Sequence, residues 1–133
     1  MNSPLLVTSF IDRAGELFGG VEIVSRRPDR SIHRYTYKDC RDRACRLAMA
    51  LRAMGLRRGD RVATLMWNHY AHVEAYFGIP LAGGVFHTLN LRLHHTDIAR
   101  IANHAQDRFV IVDDVLLPLW EGNKLLDGPR FVA

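Results

Sequence analysis

Lysine and cysteine are both scarce in this chain of 133 residues, with two of each. Cys40 and Cys45 stand five apart on a stretch that reads as one helix, so they point to different faces and a disulfide between them does not fit. Zinc-ligand spacing is absent too, and the pattern suits core or half-buried thiols in a reducing compartment. Long hydrophobic runs are missing. The longest charge-free stretch, Ala75 to Leu91, has 17 residues and is interrupted by Gly78, Pro80, Gly83, Gly84, His87 and Asn90, which makes a poor membrane span. No basic region precedes the first apolar residues, and Asp12 and Arg13 follow early, so neither a signal peptide nor a transmembrane segment is expected. These absences point to the cytoplasm.

What is present is an ordinary globular composition, 48% apolar and 24% charged, in a length that suits one domain or a piece of a larger one. The net charge is +4, carried almost entirely by arginine. Arg26, Arg27 and Arg30 fall in one turn, Arg57, Arg58 and Arg61 in another, and no aromatic residue lies among them in the sequence. A nucleic-acid interface gathers its bases on one surface, often with aromatic platforms, so the scattered pattern favours solvated loops over nucleic acid.

Ser3 followed by Pro4 predicts a helix over residues 4 to 18, with Leu6, Phe10, Ala14, Leu17 and Phe18 at helical spacing and Gly19-Gly20 as the stop. Val21–Ser25 and Ile32–Tyr37 read as two strands of a hairpin turned by Arg27-Pro28-Asp29-Arg30. Thr36 with Asp39 forms a capping-box start for a long helix, whose apolar face is Tyr37, Cys40, Ala44, Leu47, Ala48, Leu51 and Met54 and whose stop is Gly55. A strand over 61–66 follows, and then a helix from His69 capped by Asn68 and ended by Pro80 and Gly83-Gly84. Val85–His87 is a brief strand. Thr96 caps the next helix, which buries Ile98, Ile101, Ala102 and Ala105, and Phe109–Val112 is a strand covered on both faces. Leu116 to Leu126 reads as a weak helix broken by Pro118, and Phe131-Val132-Ala133 as the beginning of another strand. Alternating helices and strands imply an open, mainly parallel α/β sheet with helices on both faces, preceded by a helix and a hairpin. A chain that stops inside a strand raises the expectation of a truncated domain.

The residues taken singly outline a scaffold without an active site. His69 and His72 lie three apart on a helix and His94-His95 in a loop, too few to converge on a metal, and they read as partly exposed polar residues. There is no Gly-x-Gly-x-x-Gly, no Gly-x4-Gly-Lys-Ser/Thr and no Gly-x-Ser-x-Gly. Asp113 and Asp114 sit where α/β enzymes place functional groups, but adjacent carboxylates there more often end a strand or cap the following helix.

Several segments in order resemble the opening of adenylate-forming (AMP-binding) acyl-CoA synthetases. They are Glu22-Ile23-Val24-Ser25-Arg26, Arg34-Tyr35-Thr36-Tyr37, Arg46-Leu47-Ala48 with Leu51 and Gly55, and Gly59-Asp60-Arg61-Val62-Ala63-Thr64-Leu65. Trp67-Asn68-His69 with His72-Val73-Glu74-Ala75-Tyr76, then His87-Thr88-Leu89-Asn90-Leu91-Arg92-Leu93, Ile98 and Asn103-His104-Ala105, sharpen the likeness. Many members carry Asn-Pro where this chain has Asn90-Leu91, and the Asn-x-Arg-Leu version looks like the medium- and long-chain fatty-acid branch. The resemblance implies ligation of a fatty or other carboxylic acid to CoA through an acyl-adenylate, using ATP and Mg2+. It also implies that residues 1–133 are part of the family's large N-terminal domain, incomplete by itself. The family's Ser/Thr/Gly-rich loop ending in Pro-Lys-Gly is absent from this sequence, and neither Lys38 nor Lys124 sits in a matching motif. The resemblance therefore assigns no catalytic, cofactor-binding or metal residue here and implies a chain inactive alone. Trp67, His87, Thr88 and Asn90, at or after strand ends, are the candidates for lining a substrate channel; otherwise His87, Asn90 and Arg92 would simply tie down the loop before the third helix of the α/β part. The alternative is a subunit that docks on a separately encoded remainder, a protein partner completing the sheet.

Overall fold

A computed structural model of the chain describes residues 6–121 and 130–132. Helix α1 (Thr8–Leu17) and the hairpin β1 (Glu22–Arg26) and β2 (Ile32–Thr36) precede α2 (Tyr37–Ala53), β3 (Arg61–Leu65), α3 (Tyr70–Leu81), β4 (Val85–Thr88), α4 (His95–Ala105) and β5 (Phe109–Val112). A single 3-10 turn (Asp114–Leu116), α5 (Leu117–Glu121) and β6 (Arg130–Val132) complete the order. The last four strands form one sheet in the order β4-β3-β5-β6, and every neighbouring pair is parallel.

The sheet is covered on both faces, as the alternation of helix and strand requires. Val62, Phe109 and Ile111 meet Ala48 and Leu51 of α2 and Ala75 and Ile79 of α3. Ala63, Leu65, Val110 and Val112, one residue out of phase, meet Ile98 and Ala102 of α4 and Trp120 of α5. Helices α2 and α3 pack at Gly78, where an added Cβ would stand 2.9 Å from Leu47 Cδ2 and 3.0 Å from the Ala44 carbonyl.

Helices α2, α3 and α4 stop in the same way. Gly55, Gly83 and Gln106 have φ of 92°, 90° and 56°, in the left-handed region. After each of them the chain folds back: the amides of Leu56, Gly84 and Asp107 donate to the carbonyls of Leu51, Ile79 and Ala102. At the front of α2 the expected capping box is complete, with the Asp39 amide donating to Thr36 Oγ1 and the Thr36 amide to Asp39 Oδ2.

Several local expectations are corrected. Helix α1 begins at Thr8 behind Val7, without a side-chain cap; Ser3 and Pro4 lie outside the described residues. Its buried residue is Ile11, while Phe10 is 71% exposed and Leu6, Leu17 and Phe18 also face outward. The helix is held on the Ile11–Gly15 side because Arg41 of α2 crosses there, paired with Asp12 and Glu16 over a glycine that leaves room for it. His69, not Asn68, caps α3, and His94, not Thr96, caps α4. Ile101 is exposed, and Ala99 takes the buried place beside Ile98 and Ala102. Pro80 lies inside α3 instead of ending it, and being in the last turn it disturbs only the Tyr76 carbonyl. Pro118 is the second residue of α5, where a missing amide costs nothing; the end of the expected helix, residues 122–126, falls outside the described residues.

Candidate functional site

In an open α/β sheet, ligand crevices form at the carboxyl ends of the strands where consecutive connections leave toward opposite faces. Here that place lies between β3 and β5. The loop after β3 leads to α3 on one face, and the chain after β5 leads to α5 on the other. Leu65 pairs with Val112, so Met66–His69 and Asp113 come together as the two strands end.

Asp113 closes this point. Its carboxylate accepts the Trp67 backbone N–H at 2.8 Å and faces His69 Nε2 at 2.9 Å, with only 8% of the Asp113 side chain and 10% of the His69 side chain exposed. His69 Nδ1 accepts the Ala71 amide at the start of α3, so the proton sits on Nε2 and is donated to Asp113. Both ring nitrogens are occupied, and the pair fastens the 67–69 loop without a nitrogen free for acid–base work. Asp113 thus spends its oxygens across the sheet and does not cap the turn that follows it. Asp114 bonds locally to the Val115 amide.

His72 lies below, with Nε2 3.0 Å from the fully buried Thr64 hydroxyl. Burial holds its pKa below the ordinary histidine value, the attraction of Asp113 opposing that shift. His69, the cap of α3, and His72 within it are partly exposed, as the sequence suggests, and each is also tied to an interior partner. Among the described residues no group of three His, Cys, Asp or Glu is arranged to hold a metal ion, and these carboxylates are already engaged, so the residues present do not fit a Mg2+ site.

Two clefts flank the crevice. One, of about 660 Å³, is mostly apolar and runs between β1, α3 and β4, with Ile23, Val73, Tyr76 and Phe86 on its walls and Thr88 at its rim. The other, of about 870 Å³, lies between the hairpin turn, α2, α3 and the end of β5, where Arg27, Arg43, Glu74, Asp113 and Asp114 contribute charge. The arginines scattered in sequence also acquire aromatic neighbours: Arg27 and Arg43 lie over the Tyr70 ring at 5.7 and 5.8 Å, and Trp67 shares a small cleft with Arg26 and Arg27.

The four channel candidates do not converge. Trp67 is 47% exposed beside the hairpin turn, and Thr88 lines the apolar cleft. His87, adjacent to Thr88 on β4, points to the opposite face, with Nδ1 2.8 Å from a carboxyl oxygen of Asp107. Burial raises the Asp107 pKa and His87 pulls it back. Asn90 Oδ1 accepts the Arg92 amide, tying the turn before α4. The sequence marks Asp113 as a carboxylate at the carboxyl end of a strand, but not its ties to Trp67 and His69, nor the His87–Asp107 pair; those partners become visible only once the strand order is known.

These elements define an open α/β sheet of the kind found in enzymes that bind ligands at strand ends. Matching residues 13–128 to the AMP-binding enzyme family makes the assignment specific: the chain belongs to that family. It is 49% identical over 121 residues to a long-chain-fatty-acid–CoA ligase of Thermus thermophilus, covering 91% of this chain and 22% of that protein. It is 39% identical over 119 residues to a medium-chain-fatty-acid–CoA ligase of Ectopseudomonas oleovorans, covering 90% of this chain and 22% of that one. The chain thus spans about a fifth of the length of these curated relatives. Among solved structures, a benzoate CoA ligase of Burkholderia xenovorans superposes with a TM-score of 0.81 at 24% identity, over 96% of this chain and 25% of that one. That likeness shows the fold, and the matched region is a quarter of that longer chain.

Proposed function

We propose that residues 1–133 contribute the opening βα layer of the large domain of a cytoplasmic ATP-dependent fatty-acid or other carboxylic-acid–CoA ligase, and that the chain is inactive alone. The observation that carries this reading is the 49% identity to a long-chain-fatty-acid–CoA ligase over nearly the whole chain. In that reaction ATP activates the acid as an acyl-adenylate, whose leaving group lets the CoA thiol attack the carbonyl. ATP, Mg2+, CoA and the acid are substrates and cofactor of the whole ligase. This chain's share is to hold shape: Asp113 and His69 set the loop at the switch point, and Trp67, His87, Thr88 and Asn90 are the candidates for contact with an acyl or CoA channel. His87 and Asn90 act through the Asp107 pair and the 90–92 turn.

The test is acyl-CoA formation from a fatty acid, ATP, Mg2+ and CoA, followed by mass spectrometry. No product is expected from the purified chain; product above a no-enzyme blank overturns the claim of inactivity.

A second reading makes the chain a subunit that docks on a separately encoded remainder. The uncharged β4 edge, with Val85 48% exposed, supports it. Co-expression with the Thermus ligase lacking its matching segment should then yield a co-purifying, active pair, whereas separate migration and no activity argue against it.

A further inference from the structure

His33 sits at the centre of the contact between the β1–β2 hairpin and the helices. Arg27 donates to its Nδ1 at 2.8 Å. Arginine has only donors, so Nδ1 is the bare nitrogen and the proton is on Nε2. That Nε2 is buried and has no hydrogen-bond partner, a rare condition for a buried polar atom. The ring lies 4.0 Å from the Tyr70 ring at the start of α3 and 5.0 Å from Tyr35. The charged groups facing it are Arg27 from the hairpin, Arg43 from α2 and Glu74 from α3. Glu74 is committed to Arg43 at 2.6 Å, and Asp29 in the hairpin turn is turned to the amide and hydroxyl of Ser31.

We propose that His33 is a proton-operated latch, whose neutral ring docks the hairpin onto the start of α3 and whose protonation releases it. A second proton would have to go on Nδ1, placing an N–H against the Arg27 guanidinium and a third cation between two arginines. Among the described residues, Glu74, the carboxylate that faces the ring, is already paired with Arg43. Burial and both arginines accordingly hold the pKa of His33 below the ordinary value. In the docked state the ring is partly exposed with Nε2 buried; in the undocked hairpin Nε2 meets water as well, and the ring takes its proton near pH ~6.5. Opening therefore takes up a proton, and between about 6.5 and the docked-state pKa the open population rises up to about tenfold per pH unit. The Tyr70 amide, which donates to Ser25 Oγ of β1, reports the docked state, and the Arg27 amide, which donates to the Ser31 carbonyl, reports the closed hairpin turn.

The experiment compares hydrogen-exchange protection factors of the whole chain at about pH 7.5 and about pH 5.5, with an NMR titration of the His33 ring. Expected are a loss of protection at the Tyr70 and hairpin amides at least severalfold larger than the loss in β5, which follows global stability alone, and a ring that titrates below ~6.5 from the Nε2–H tautomer. His33→Gln, which can still accept from Arg27 but takes no proton, should make hairpin protection independent of pH. The latch is overturned by equal loss in β5 and the hairpin, by the same pH dependence in His33→Gln, or by a His33 pKa at or above the ordinary value. Where His33→Gln fails to dock its hairpin, the wild-type ring titration decides alone.

Discussion

Asp113 carries more of the local architecture than its place at the end of a strand suggests. Replacing it by alanine leaves the Trp67 amide and His69 Nε2–H without their acceptor in a nearly closed environment. We expect Asp113→Ala to lower stability by about 3 kcal/mol, read from urea unfolding, with the fluorescence of Trp67 shifted as its loop loosens. His72 adds a pH dependence whose sign follows from its burial. Its native pKa is depressed, so folding excludes a proton that the unfolded chain takes up, and stability is lost as pH falls through about 6.5 toward the native value. Urea midpoints for His72→Gln and wild type should therefore converge in slope above about pH 7 and diverge below about pH 6. His33 contributes a slope of the same sign, so the difference between the two proteins isolates His72. The capping role of His69 illustrates why such residues resist reading from sequence. Asn68 and His69 can each accept an amide, and the choice is made by Asp113, 44 residues away along the chain.

Among the elements, the α2–α3 contact is the most tightly specified. Gly78 lets Leu47 and the Ala44 carbonyl approach within a distance that no side chain allows. Gly78→Val should separate the two helices and cost roughly 1–3 kcal/mol or more, whereas Gly20→Ala, which meets nothing within 4 Å, should be close to neutral; thermal unfolding of the pair checks the contrast. The start of α2 was legible because its information lies in four consecutive residues, Thr36 to Asp39. The buried face of α1 was not, since periodicity alone favours the Phe10 stripe. A single long-range arginine, Arg41, turns the helix so that Ile11 packs and Phe10 does not. Pro80 shows the same limit from the other side. Proline forbids the helix interior, but in a last turn followed by a left-handed glycine the prohibition falls on almost nothing.

For the whole molecule, the alternation of elements suffices for a parallel sheet covered on both faces. It does not reveal that β3 stands between β4 and β5, and with that the crevice and its Asp113 tie stay hidden. Among the described residues the strand order also leaves β4 at an edge, with neither lysine nor proline along Val85-Phe86-His87-Thr88 to guard it. The chain should therefore self-associate as its concentration rises, detected by sedimentation velocity, and Val85→Lys should suppress this while leaving the circular dichroism unchanged. Wild type that stays monomeric over a hundredfold concentration range would show the edge to be protected by other means.

The central place of β3 also has a consequence in time. During synthesis β3 and β4 can pair once residue 88 has emerged, but the other edge of β3 has no neighbour until β5 at residues 109–112 follows. At ribosomal rates of about 5–20 residues per second that interval lasts roughly one to five seconds. For that long the nascent chain presents Val62 to Leu65 as a half-made sheet, and this is when a chaperone has most to bind.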